Sequence, residues 1–78
     1  MNIDFLRALN YYMTLVFDNE VEFLANFWDG DPDRFELLDF TMGPTLCEVR
    51  VVSIDGRHIV NSISTAEFLE WAEDMKES

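Results

Sequence analysis

Cys47 and His58 are the only thiol and the only imidazole in the chain. A nucleophile and its base must stand within hydrogen-bond reach of each other. Asp55-Gly56 is a strong hairpin signal, and a two-residue turn there pairs Ser53 with His58 and Val49 with Ser62. Cys47 then lies several residues from His58 along the sheet, at about 3.3 Å each, so no Cys–His pair is expected. One His and one Cys also fall short of a four-ligand zinc site. Asp29, Asp31 and Asp33 alternate as at the start of a calcium loop, which needs Gly at its sixth position and Glu at its twelfth. Counted from Asp29, those positions hold Arg34 and Phe40. No metal and no cofactor is expected. Three scattered glycines make no phosphate-cradling loop.

The remaining chemistry is that of carboxylates. The 78 residues carry 16 Asp and Glu against 5 Lys and Arg, a net charge of −11. A field this negative repels nucleic acid and anionic membrane and attracts basic protein surfaces. Arg7, Arg34, Arg50, Arg57 and Lys76 are scattered, so direct nucleic-acid binding is not expected. A general acid needs a desolvated pocket to raise its pKa, for which so small a domain has little room, and a non-enzymatic protein is expected. The acids form three clusters: Asp18, Glu20 and Glu22; Asp29, Asp31, Asp33, Glu36 and Asp39; and Glu67, Glu70, Glu73, Asp74 and Glu77. In the last, Glu67, Glu70, Asp74 and Glu77 recur at three, four and three residues and stripe one helix face over ~15 Å. Like charges so spaced oppose an isolated helix by ~0.2–0.5 kcal/mol per pair. Acids near a helix C-terminus also meet an unfavourable dipole, and only Lys76 is near enough to offset them.

A stripe placed against local helix stability reads as a contact surface that imitates nucleic-acid phosphates; the alternative is a solvated face. The expected partner-binding residues are Glu67, Glu70, Glu73, Asp74 and Glu77, with Asp29, Asp31 and Asp33 as a second patch. Trp28 beside that patch reads as either an exposed aromatic anchor or a hydrophobic lid.

The elements that must position these groups follow from periodicity. Over residues 3–28 polar residues recur at three and four, and between them fall Leu6, Leu9, Met13, Val16, Phe17, Leu24 and Phe27. That predicts one long or broken helix, with Asp18-Asn19-Glu20 as the weak point and a hairpin over residues 11–28 as the alternative. Asp29 to Asp33 reads as a loop. Strands follow over Phe35 to Met42, Cys47 to Ile54 and Arg57 to Ile63, turning at Gly43-Pro44 and Asp55-Gly56. Ser64-Thr65-Ala66-Glu67 is a capping box opening a helix to about Met75, with Phe68, Trp71, Ala72 and Met75 on its apolar face. The expected fold is α+β: an N-terminal helix, a three-stranded antiparallel meander and a C-terminal helix in two layers.

Residues 1–78 are expected to form one domain. With 49% of residues hydrophobic and 14% aromatic, the chain is outside the disordered class. It has apolar surface to spare, which keeps a homodimer open. The lone Cys47 allows no intrachain disulfide and fits a reducing compartment. Asp4 stands where a secretory signal needs positive charge, and the apolar stretch from Phe5 to Phe17 is too short and too interrupted to span a bilayer. A complete, small, cytoplasmic product is the expectation.

The hairpin around Asp55-Gly56, followed directly by Ser64-Thr65-Ala66-Glu67-Phe68-Leu69-Glu70-Trp71, resembles in character the small acidic phage-encoded inhibitors of bacterial defence, above all anti-CRISPR proteins. Those proteins share no diagnostic motif, so no residue role carries over. The resemblance implies an inhibitor in the host cytoplasm that binds a Cas protein or complex and obstructs its nucleic acid. Two other readings stay open: an antitoxin or immunity protein neutralising a basic toxin, and a homo-oligomeric adaptor whose charge only maintains solubility.

Overall fold

A computed structural model describes residues 3–28 and 30–77. The elements run α1 (Ile3–Asp18), α2 (Glu20–Phe27), a 3-10 turn (Pro32–Arg34), β1 (Phe35–Met42), β2 (Leu46–Ser53), β3 (His58–Ser64) and α3 (Thr65–Glu77). The fold is α+β, and the three strands form one antiparallel sheet in the order β1-β2-β3. No helix among the described residues is long and apolar enough to cross a membrane.

The N-terminal region is helical and broken at Asn19, not a hairpin. Asn19 donates its backbone N–H to the carbonyls of both Leu15 and Val16, at 3.1 and 3.2 Å, and its side-chain amide to Leu15 O at 2.9 Å. Its own carbonyl accepts from Phe23 N at 2.9 Å. These bonds satisfy the Leu15 and Val16 carbonyls at the end of α1 and the backbone of Asn19 itself. The break also lets α2 turn Phe23 and Leu24 into the core, where both are buried.

The sheet buries one face. Leu37, Phe40, Cys47, Val49, Val51 and Ile63 point to the helices and are buried with Val16, Phe23, Leu24, Phe68, Trp71 and Ala72. In β1 the inward residues Leu37 and Phe40 are three apart, which strict alternation forbids. A bulge resolves the mismatch: Leu37 pairs with Val51 and Asp39 with Arg50, leaving Leu38 as the extra residue.

The β2–β3 turn has three residues, not two. Ser53 N–H donates to Arg57 O and Gly56 N–H to Ser53 O, both at 2.9 Å. Gly56 takes φ +85°, the left-handed position that closes a three-residue hairpin with a bulge. Val52 therefore faces His58, Val49 faces Asn61 and Cys47 faces Ile63. The predicted two-residue turn slips this register by one. It would turn Ser62 and Ser64 into the core and Ile63 out to solvent, and core burial decides against it.

At the hairpin tip, the Ser53 hydroxyl donates to the exposed carboxylate of Asp55. That bond, helped by the nearby Arg57 charge, holds the Asp55 carboxyl below its ordinary value. A depressed carboxylate stabilises the fold above its unfolded pKa, and the contribution is lost as pH falls through the folded value. Ser53→Ala is expected to raise the Asp55 pKa toward that of a free aspartate, read by NMR titration of the carboxyl carbon.

Gly43 is demanded by space. A Cβ there would sit 2.6 Å from Leu46 O, and Gly43 N–H donates to that same oxygen at 2.9 Å. Gly43→Ala must push backbone against backbone and is expected to destabilise the fold by roughly 1–3 kcal/mol, measured by urea denaturation.

Candidate functional site

The placement of α3 is fixed at its first turn. Ser64 Oγ accepts the Glu67 N–H at 3.4 Å, one half of the capping box read from the sequence; among the described residues the reciprocal bond from Ser64 N–H to the Glu67 carboxylate is not made. The buried Thr65 hydroxyl donates to Gly43 O at 2.9 Å, and its backbone N–H donates to Thr45 O at 3.0 Å. The Cys47 thiol lies 3.4 Å from Thr65 Oγ1; with the hydroxyl proton committed to Gly43, the thiol is the donor. These bonds tie the helix start to the β1–β2 turn and set the rotation of α3 about its axis. Phe68, Trp71 and Ala72 face inward and are buried.

That rotation brings Glu67, Glu70 and Asp74 to the rim of a groove between α2 and α3. Asn26, Phe27 and Trp71 complete its lining, and the cavity volume is about 360 Å³. The rings of Phe27 and Trp71 meet edge to face at 6.0 Å between centroids. Glu67, Glu70, Glu73, Asp74 and Glu77 are all exposed. Among the described residues, no ion pair or side-chain hydrogen bond engages Glu67, Glu70 or Asp74. Lys76, the single cation of α3, has its Nζ 6.0 Å from the centre of the Tyr11 ring, away from the groove lining. The groove thus has carboxylates along one wall and aromatic surface beside them.

Glu73 and Glu77 are exposed without lining the groove. Asp31 and Asp33 are exposed in the loop, where Asp31 Oδ1 accepts the Asp33 N–H at 3.0 Å and caps the short 3-10 turn. Asp33 borders a different recess, with Phe35, Glu36, Val52, Ser53 and Ile54. Asp29 lies outside the described residues. Trp28 is no exposed anchor: only 9% of it is accessible, and its ring packs on Phe35 at 5.9 Å. Its backbone N–H closes α2 onto Leu24 O at 2.8 Å, so the turn leaving the helix folds the indole back onto the sheet.

Asn26 and Phe27 escaped the sequence reading as site residues. Phe27 stands among apolar positions that read simply as core, and nothing in the sequence says that α2 and α3 lie side by side. Cys47 and His58 stay apart, as expected: they are five residue pairs distant along the β2–β3 ladder, Cys47 buried and His58 exposed. Among the described residues, no cluster of three or more His, Cys, Asp or Glu is placed to hold a metal.

A third recess, between α1 and β1, is smaller at about 130 Å³ and is lined by Leu9, Met13, Asp39, Phe40, Thr41 and Met42. It carries one acid against three in the α2–α3 groove. Comparisons with protein families, with curated proteins and with solved structures find no match for this chain.

Proposed function

We propose that the chain is a non-enzymatic inhibitor that takes a basic surface of a nucleic-acid-binding protein, a Cas protein or complex among them, into its α2–α3 groove. The observation that carries this reading is the groove itself: Glu67, Glu70 and Asp74 on one wall, with Phe27 and Trp71 beside them. A lysine or arginine entering it can lay its alkyl stem on the aromatic surface and its charged head among the carboxylates. The same side chains on the partner would otherwise hold phosphates, so occupation of the groove excludes nucleic acid. Glu73 and Glu77 extend the negative field beyond the groove and steer encounter.

The test is capture from a bacterial lysate on the immobilised chain, followed by elution with duplex or single-stranded nucleic acid. The retained protein should bind nucleic acid, be displaced by it, and be lost as salt rises. Retention that resists both salt and nucleic acid, or that is equal on a chain carrying Glu70→Lys and Asp74→Lys, would overturn the reading.

A further inference from the structure

The sheet has two edges, and they are built differently. β1 carries Glu36, Asp39 and the bulge at Leu38, the charges and irregularity that discourage strand addition. β3 reads His58-Ile59-Val60-Asn61-Ser62-Ile63-Ser64. It has no Asp, Glu, Lys, Arg, Pro or Gly and pairs with β2 without irregularity, in a chain whose residues are 27% charged.

The ladder says which groups this edge presents. Antiparallel pairs alternate between bonded and non-bonded. Ser53 and Arg57 form a bonded pair, so Ile59, Asn61 and Ile63 turn their backbone groups toward β2. His58, Val60, Ser62 and Ser64 turn theirs outward. Among the described residues, the Ser62 N–H donates only to the Asn61 side chain, at 3.1 Å. Beside the edge, on the face away from the helices, Val60 is 50% exposed and Leu46 is 58% exposed.

We propose that the free edge of β3 docks a second copy of this chain, antiparallel, joining two sheets into one of six strands. Pairing centred on Asn61 sets Val60 of each copy against Ser62 of the other, and His58 against Ser64, so outward groups meet outward groups. Charge favours this occupant. The edge is neutral, so two chains of net charge −11 approach there with least repulsion. The same register places Arg57 of each copy opposite Thr65 of the other, two residues from Glu67, so unlike charges close both ends. Of the groove carboxylates only Glu67 comes near this pairing; Glu70 and Asp74 take no part, and the proposal does not rest on the inhibitory reading.

Light scattering and sedimentation of the full chain should show a two-chain species that dissociates on dilution. Hydrogen exchange should show the Val60 and Ser62 amides protected in concentrated solution and free on dilution. Ser62→Pro deletes an outward N–H while sparing every bond to β2, and is expected to weaken the dimer roughly tenfold or more with an unchanged far-ultraviolet dichroism spectrum. Phe17→Glu, on the exposed side of α1, should leave the dimer intact. A chain that is monomeric at sub-millimolar concentration overturns the proposal. So do Val60 and Ser62 amides that exchange freely at every concentration, or a dimer that survives Ser62→Pro and is lost with Phe17→Glu. The hydrogen-exchange measurement needs no variant and decides the matter if Ser62→Pro fails to fold.

Discussion

Phe68→Ala is expected to cost the chain most of its stability and its cooperative unfolding. The Phe68 ring is fully buried and lies 4.7 Å from Phe40, 5.6 Å from Tyr12, 5.9 Å from Trp71, 6.2 Å from Phe23 and 6.4 Å from Phe27 between centroids. These partners come from α1, α2, β1 and α3, so this one side chain couples both layers of the fold. Truncating a buried Phe to Ala costs about 3–5 kcal/mol. A domain of this size holds about 4–12 kcal/mol in total, so the loss takes from a quarter to all of it. Phe68→Leu keeps most of the volume and should cost far less. Phe17→Ala, at a half-exposed position on α1, should be nearly silent. Urea denaturation followed by dichroism would separate the three. A Phe68→Ala midpoint close to that of Phe17→Ala would mean that the packing described here is wrong.

That core was legible in kind from the sequence, and less so in detail. The inward set of α3 followed from the spacing of Phe68, Trp71 and Ala72, and its start from the Ser64–Glu67 capping pair, because these signals are local and agree with each other. The bulge at Leu38 left a trace that alternation alone could have flagged: Leu37 and Phe40 cannot share a face of a regular strand. The hairpin register failed for a different reason. Asp55-Gly56 fits both a two-residue and a three-residue turn, and the choice rests on Ile63 meeting the buried face of β2, which is not a local property. Asn19 is similar. Its neighbours permit a cap, a turn or a helix, and what decides is burial of Phe23 and Leu24 in the core, Phe23 against the rings of Phe40, Phe68 and Trp71. The spacing of Glu67, Glu70, Asp74 and Glu77 gave an acidic stripe on one helix face, of which Glu67, Glu70 and Asp74 line the groove and Glu77 does not; spacing alone implies no groove. The groove's other side needed the packing of α2 on α3, because Phe27 has the same apolar signature whether it lies beneath a groove or within a core.

Reversing Glu70 and Asp74 together to lysine is expected to move stability and binding in opposite directions. Glu67, Glu70, Asp74 and Glu77 are exposed and lie three or four residues apart on α3. Each like pair opposes the helix by ~0.2–0.5 kcal/mol; the 67–70 and 74–77 pairs would become attractive pairs of similar size, while positions 70 and 74 remain a like-charged pair. Asp74 also gives up an unfavourable position near the helix C-terminus, an effect of ~0.3–1 kcal/mol at exposed sites. Allowing for solvent screening, the doubly reversed chain should be more stable by roughly 1 kcal/mol, which for a domain of this length raises the melting temperature by about 4–8 °C. Binding to a basic partner should respond the other way. Losing one side of a desolvated charge pair costs about 2–5 kcal/mol, and like charge would then face like charge across the contact. Affinity should therefore fall by roughly 30-fold to several thousand-fold, together with most of the salt dependence of the interaction. Calorimetry of the variant and titration with the captured partner read the two effects separately. A solubility device predicts only the first of them: a variant that melts higher and still binds would show that the stripe is a solvated face. A variant that melts higher and no longer binds would show that the chain carries its unfavourable helix for the sake of the contact.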